Sequence, residues 1–367
     1  MSFPIFLATA PGLEEVLASE VSALDFGPAR AVPGGVGISG GWPEVWRANL
    51  SVRGATRVLA RIGEFRAMHL AQLDKRARKF DWGAVLRPDV PVRVEGTCRR
   101  SKIYHAGAAA QRVARAITET LGAPEGEGEG AIRVMARIED DLVSLSVDTS
   151  GEPLHRRGHK QATGKAPLRE TLAAPFLRQC GYDGGEPVID PMCGSGTFPI
   201  EAAEIACGLL PGRDRRFAFE DLATFDPEAW QAMRAAPQPR ETALRFAGFD
   251  RDAGAVRMAG ENAARAGVAG CTAFTCQPVS ALARPDGPPG LVMVNPPYGA
   301  RIGNRKLLFG LYGSLGETLR REMRGWRVGL VTSDGGLARA TGLPFLPSGP
   351  PVAHGGLKVT LWRTDPL

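Results

Sequence analysis

The chain of 367 residues is 44% apolar and 23% charged, with a formal net charge of +6. That length exceeds what one compact core accommodates and suits two domains or three small ones, and the composition excludes a disordered chain. No apolar run reaches 18 residues and Met1 to Ala10 has no basic start, so neither a membrane span nor a secretory signal is expected.

The first 64 residues read as a small α+β unit. Ser2 to Ala8 is a strand, Gly12 to Leu24 a helix with Leu13, Val16, Leu17 and Leu24 on one face, and Gly34-Gly35 turns into a second strand pair. A helix over Trp42 to Ser51 and a strand over Arg57 to Ile62 complete it. Residues 65–153 form a second unit: a basic helix (His69 to Phe80), a strand (Val90 to Gly96), a long helix (Tyr104 to Leu121), and strands Ile132 to Ile138 and Leu142 to Asp148 joined by the acidic turn Glu139-Asp140-Asp141. Two basic clusters stand here with aromatics beside them, Lys75, Arg76, Arg78 and Lys79 before Phe80, and Arg99, Arg100 and Lys102 before Tyr104. Such clusters suit phosphate contacts, although each taken singly is as readily a solvated face. Residues 1–165 hold 23 Lys+Arg against 19 Asp+Glu (+4), residues 166–367 hold 22 against 20 (+2), so the basic excess leans to this side.

Residues 154–367 read as a third body, opened by Leu154 to Lys160 and a helix over Ala166 to Gln179. From residue 187 apolar strands ending at Asp190, Asp250, Gln277, Asn295 and Ser333 alternate with helices, which predicts an open, doubly wound, mostly parallel sheet. Ligands in such sheets bind at the carboxyl ends of the strands, where these polar residues stand. Gly212 to Arg240, polar and proline-containing, is an insertion between the first two strands, and Gly356 to Arg363 a last strand at or near the sheet edge.

Val188 to Thr197 is a strand, a Gly-x-Gly turn and a helix start, a cradle for a nucleotide-like ligand. A dinucleotide site would want a third glycine at Pro199, and a phosphate loop would want Gly-Lys-Ser/Thr; neither is present. Asp190 before the turn repels a pyrophosphate but attracts an ammonium, and S-adenosylmethionine carries an ammonium, a sulfonium and no phosphate. At the end of the second strand, Asp250 either accepts vicinal ribose hydroxyls or caps the following helix.

Asn295-Pro296-Pro297-Tyr298-Gly299 is the most specific signal in the chain. An exocyclic amine or an amide nitrogen has its lone pair delocalised into a π system, so two acceptors, Asn295 Oδ1 and the Pro296 carbonyl, can hold its N–H groups and aim the nitrogen at a methyl donor. Pro296 and Pro297 stiffen the turn and remove competing donors. Tyr298 offers a face on which a planar substrate stacks. Guanine N2, adenine N6 and a glutamine amide all fit this chemistry.

Asp190 to Thr197 together with Asn295 to Gly299 resembles the THUMP-domain RNA guanine-N2 methyltransferases, in particular those of large-subunit ribosomal RNA. Phe6 to Glu15, Leu154 to Gly158 and Ala166 to Ala174 match as well, so the resemblance spans essentially the whole chain. It implies a ferredoxin-like subdomain (1–64), a THUMP RNA-binding domain (65–153) and a seven-stranded Rossmann-like class I methyltransferase domain (154–367). It further implies an enzyme with RNA as partner, 23S ribosomal RNA first and transfer RNA as the alternative. S-adenosylmethionine would be held by Asp190, Met192, Cys193, Gly194, Gly196, Thr197 and Asp250, and the target amine by Asn295 to Tyr298. The family usually has an acid after the third strand where this chain has Gln277-Pro278, so Gln277 is expected to bind the adenine amine through its side-chain oxygen.

The six cysteines (98, 180, 193, 207, 271, 276) are scattered without Cys-x-x-Cys, which suits reduced thiols in the cytoplasm and no zinc site. His155 and His159 flank Arg156-Arg157 but lack a third ligand, so no metal is expected.

Overall fold

The computed structural model describes residues 2–128, 130–161, 168–298 and 305–367, and these divide between two units. The first comprises Met1–Thr9, Ala18–Leu154 and Asp214–Ala236, the second Ala10–Leu17, His155–Arg213 and Pro237–Leu367. Each is built on a seven-stranded sheet.

Elements β1 (Phe3–Ala8), α1 (Glu14–Ala23), β2 (Arg30–Val32), β3 (Gly35–Gly40), α2 (Trp42–Ser51) and β4 (Arg57–Arg66) follow the order strand, helix, strand, strand, helix, strand. Their strands lie in the order β2-β3-β1-β4, all antiparallel, which is the ferredoxin-like arrangement. Next come α3 (Leu70–Ala77), β5 (Val92–Arg99), α4 (Ala106–Leu121), β6 (Ile132–Glu139) and β7 (Leu142–Asp148). They extend the same sheet through β4, whose ten residues pair with β1 on one side and β7 on the other, giving β2-β3-β1-β4-β7-β6-β5. Residues 1–64 and 65–153 therefore share one sheet. Helices α3 and α4 begin a residue or two later than periodicity suggests because a histidine caps each. His69 Nδ1 accepts the Gln72 N–H at 3.2 Å and His105 Nδ1 the Ala108 N–H at 3.1 Å. Asp140 and Asp141, at φ 51° and 61°, form the two-residue turn between the paired Glu139 and Leu142, a backbone that Asp tolerates and hairpins prefer.

The second unit contains α5 (Glu170–Gln179), β8 (Val188–Asp190) and α6 (Thr197–Ala206). Of the helix expected over Ala166 to Gln179, Ala166 and Pro167 lie outside the described residues. Past α7 (Pro227–Ala235), which belongs to the first unit, the chain continues with β9 (Phe246–Asp250), α8 (Ala253–Arg265), β10 (Thr272–Cys276), β11 (Leu291–Val294), α9 (Arg305–Glu322), β12 (Arg327–Thr332), α10 (Gly335–Ala340), β13 (Val352–His354) and β14 (Leu357–Arg363). The order is β10-β9-β8-β11-β12-β14-β13, with the first five strands parallel and β14 and β13 antiparallel. Successive strand residues face opposite sides: Leu291 and Met293 join one core cluster, Val292 and Val294 the other. On α9, Leu308, Tyr312, Leu315 and Leu319 recur every three or four positions and, with Met323 just past its end, bury into the second cluster. Strand order reverses between β8 and β11, so the crevice where open sheets bind ligands opens beyond Asp190 and Asn295.

The insertion between the first two strands of this sheet is more than a polar loop. Its residues 214–236 belong to the first unit. Phe217, Phe219 and Trp230 are buried there, with the Phe219 ring 6.0 Å from Trp46 of α2 and 4.9 Å from Trp230. Asp226 caps α7 by accepting from Glu228 and Ala229.

Candidate active site

The turn after β8 is left-handed at both Gly194 (φ 53°) and Gly196 (φ 84°). A Cβ on Gly196 would lie 3.0–3.1 Å from Ala259, Ile200 and Phe274, whereas one on Gly194 would meet nothing within 4 Å. Gly196 thus serves packing, and Gly194 leaves the turn open on its outer side. Neighbouring elements pin the turn: the Cys193 N–H donates to the Phe249 carbonyl (2.8 Å), the Gly194 N–H to Asp250 Oδ2 (3.0 Å), and Asn262 Nδ2 of α8 to the Ser195 carbonyl (3.1 Å). Asp190 is buried and accepts the Met192 N–H at 2.9 Å. Burial, with Asp250 nearby adding to it, holds the Asp190 carboxyl well above the usual carboxylate range.

Asp250 ends β9 half-buried, its Oδ1 accepting the Asp252 N–H at 3.0 Å. It does not cap α8; Asp252 does, accepting from Gly254 and Ala255. A carboxylate has about four lone-pair sites, so the bonds from Gly194 and Asp252 leave acceptors for two further hydroxyls. The Gln277 N–H donates to the Asp250 carbonyl at 2.9 Å, which sets these two residues side by side at the ends of β10 and β9.

Beyond β11, Asn295 is half-buried, and its Oδ1 is enclosed with no hydrogen-bond partner among the described residues. A buried acceptor left in this state is costly, so it marks a place where a donor belongs. Pro296 is buried, and the half-buried Tyr298 packs against both core clusters. Burial pushes the Tyr298 phenol up to about 12, which keeps it neutral in ordinary buffer. Gly299 lies outside the described residues.

Sequence reasoning missed the scaffold beneath this site. Lys160 Nζ donates to the Leu168 carbonyl (2.7 Å) and to Thr197 Oγ1 (2.8 Å), and lies 3.1 Å from Glu170, so it ties α5 to the start of α6. Arg157 is completely buried and pairs with Glu201 and Glu204 of α6, while His159 Nδ1 lies 3.9 Å from Glu204. The signal was two glutamates three residues apart in an apolar helix, which require a buried cation. His155, pushed down to about 4 by burial, and His159 join no group of potential metal ligands among the described residues.

The two basic clusters both lie in the first unit. Lys75, Arg76 and Lys79 are exposed, and none forms an ion pair with a described residue. Arg78 differs: it pairs with Asp74 and Glu119, and with Arg115 it holds the Glu119 carboxyl down to about 2. Arg100, at φ 47°, binds Glu139 (2.9 Å) and Asp140 (3.1 Å), whereas Arg99 approaches Glu139 only to 4.0 Å and Lys102 projects toward Met68.

The family described as the RMKL-like methyltransferase domain matches residues 157–343, and that described as the RlmL ferredoxin-like domain matches residues 4–59. Among solved structures, a predicted N6-adenine-specific DNA methylase from Listeria monocytogenes is 28% identical with a TM-score of 0.89, the match covering 100% of this chain and 97% of that one. A possible methylase from Clostridium difficile 630 is 27% identical, TM-score 0.88, with coverage of 100% and 99%. SMU.472, a putative methyltransferase complexed with SAH, is 25% identical, TM-score 0.85, with coverage of 100% and 98%.

Proposed function

Because the chain belongs to the RMKL-like methyltransferase family and uses S-adenosylmethionine, we propose that it methylates RNA at the exocyclic N2 of a guanosine, with 23S ribosomal RNA as the substrate. The observation that carries the amine chemistry is the enclosed Oδ1 of Asn295 at the end of β11, which has no hydrogen-bond partner among the described residues, beside the pinned glycine turn.

The residues present fit the donor. Asp190, Met192, Cys193, Gly194, Gly196 and Thr197 offer an acidic start and an open turn for its methionine part, Asp250 has acceptor sites for its ribose, and Gln277, bonded through its N–H to the Asp250 carbonyl, is the residue assigned to its adenine amine. When bound, it supplies an electrophilic methyl group on a sulfonium. The chain's own part is positional. Asn295 Oδ1 and the Pro296 carbonyl accept the two N–H groups of the amine and fix its direction, and Tyr298, neutral and half-buried, receives the face of the base. An RNA substrate is supported by the match to the RlmL ferredoxin-like domain and by the exposed Lys75, Arg76 and Lys79 in residues 65–153, read as the THUMP part.

Mass spectrometry of nucleosides from ribosomal and transfer RNA of a strain lacking the protein tests this reading. Loss of N2-methylguanosine from ribosomal RNA is the expected result; loss from transfer RNA alone keeps the chemistry and changes the substrate. Intact N2-methylguanosine with loss of N6-methyladenine from DNA would replace the reading with that carried by the Listeria protein's description.

A further inference from the structure

Three backbone carbonyls belong to the Asn295-Pro296-Pro297 turn, and one of them is already engaged. Tyr312, on the buried face of α9, brings its hydroxyl to 3.3 Å from the Pro297 carbonyl and 3.2 Å from Thr332 Oγ1 at the end of β12. A buried tyrosine costs more than phenylalanine unless its hydroxyl is bonded, and of its two partners Thr332 is itself 1% exposed. With Pro297 occupied, Asn295 Oδ1 remains an enclosed acceptor that meets no donor among the described residues, and the Pro296 carbonyl is the neighbour of the one that Tyr312 holds. The two prolines contribute no N–H, so the turn has few bonds of its own to fix its attitude.

We infer that Tyr312 is the positioning residue of the amine-binding turn: its hydroxyl, braced by Thr332, holds the Pro297 carbonyl and thereby aims Asn295 Oδ1 and the Pro296 carbonyl at the substrate nitrogen. The inference rests on the assignment of Asn295 to Tyr298 as the amine-binding turn. The hydroxyl lies within hydrogen-bonding distance of both the Pro297 carbonyl and Thr332 Oγ1, so one tyrosine links α9, β12 and the turn after β11. Small errors in the direction of a reacting nitrogen lower the rate without touching the donor, and that separates this role from general support of the fold.

The test uses the full chain and whichever nucleic acid the wild type methylates, so that a failure of the guanosine reading leaves the measurement in force. Tyr312→Phe should lower the single-turnover methyl-transfer rate by about tenfold, with donor Kd and Tm close to wild type. Thr332→Val should lower it less, and the double variant no further than Tyr312→Phe, because Thr332 acts through Tyr312. A rate within twofold of wild type, an additive double variant, or a parallel loss of donor affinity overturns the inference. A second measurement needs no activity: hydrogen exchange at the Tyr298 amide should quicken in Tyr312→Phe, and unchanged exchange there counts equally against it.

Discussion

Asp250 Oδ2 accepts the Gly194 N–H at 3.0 Å, so the carboxylate proposed for the ribose also latches the glycine turn proposed for the methionine part of the donor. Removing it should cost both functions at once. Asp250→Ala is expected to raise the donor Kd by about 10- to 100-fold, the equivalent of roughly 1.5 to 3 kcal/mol for a charged hydrogen bond. Titration calorimetry reads it directly, and an unchanged Kd would remove Asp250 from the site.

Asp190 gives a pH dependence whose sign follows from its environment. Burial and the nearby Asp250 raise its carboxyl above the usual range, so the ligand-free protein takes up its proton at a higher pH than an exposed aspartate does. A raised acid favours the protonated fold. Its burdening of stability is absent below the unfolded pKa and present in full above the folded one, so this group's effect on stability worsens as pH rises between them. On the proposed assignment, the ammonium of the donor selects the ionised form. Donor affinity should therefore fall as pH drops, beginning above the ordinary carboxylate range, and binding there should release a proton, visible as a buffer-dependent calorimetric heat. In Asp190→Asn both effects should vanish.

Asn295→Ala should lower the transfer rate by about two to three powers of ten, roughly 3 to 4 kcal/mol of transition-state stabilisation, with donor Kd nearly unchanged. Equal loss of donor affinity would move Asn295 to the donor side.

Replacing Lys75, Arg76 and Lys79 together with alanine should weaken RNA binding and flatten its salt dependence by up to about 0.9 per lost phosphate contact on duplex. Arg78→Ala serves as the control, since its guanidinium is committed to Asp74 and Glu119. Filter binding at several salt concentrations separates the two, and equal slopes would deny the three exposed cations a phosphate role.

What was legible in the sequence was what a strand end displays locally. Asp190, Asp250 and Asn295 each close an apolar run, and the parallel topology alone brings such ends together. Periodicity gave the α+β unit and the open parallel sheet, whereas the ferredoxin-like and methyltransferase folds were implied by the resemblance carried by Asp190 to Thr197 and Asn295 to Gly299. Asn262, Tyr312 and Lys160 were not legible, because each acts on a residue 67, 15 or 37 positions away through one side-chain bond that leaves no periodic trace. Within the string Lys75 to Lys79 nothing distinguishes Arg78 from its neighbours; only the fold brings Glu119 to it. His69 and His105 misled at the helix starts for a related reason, since an imidazole serves as a cap as readily as it continues a helix.

The residence of Asp214–Ala236 in the first unit has a consequence for synthesis on the ribosome. After Leu154 has been made, Trp46 still lacks the Phe219 ring that stacks beside it, and it goes on lacking it while His155–Arg213 is being added. At about 5–20 residues per second the nascent chain spends some seconds with that apolar face uncovered, the condition under which chaperones engage or misassembly begins. The N-terminal unit is therefore still incomplete when synthesis of His155–Arg213 of the second unit is under way, unlike domains strung one after the other in sequence. By the time Trp230 closes over Phe219, β8 and the glycine turn after it have already been translated.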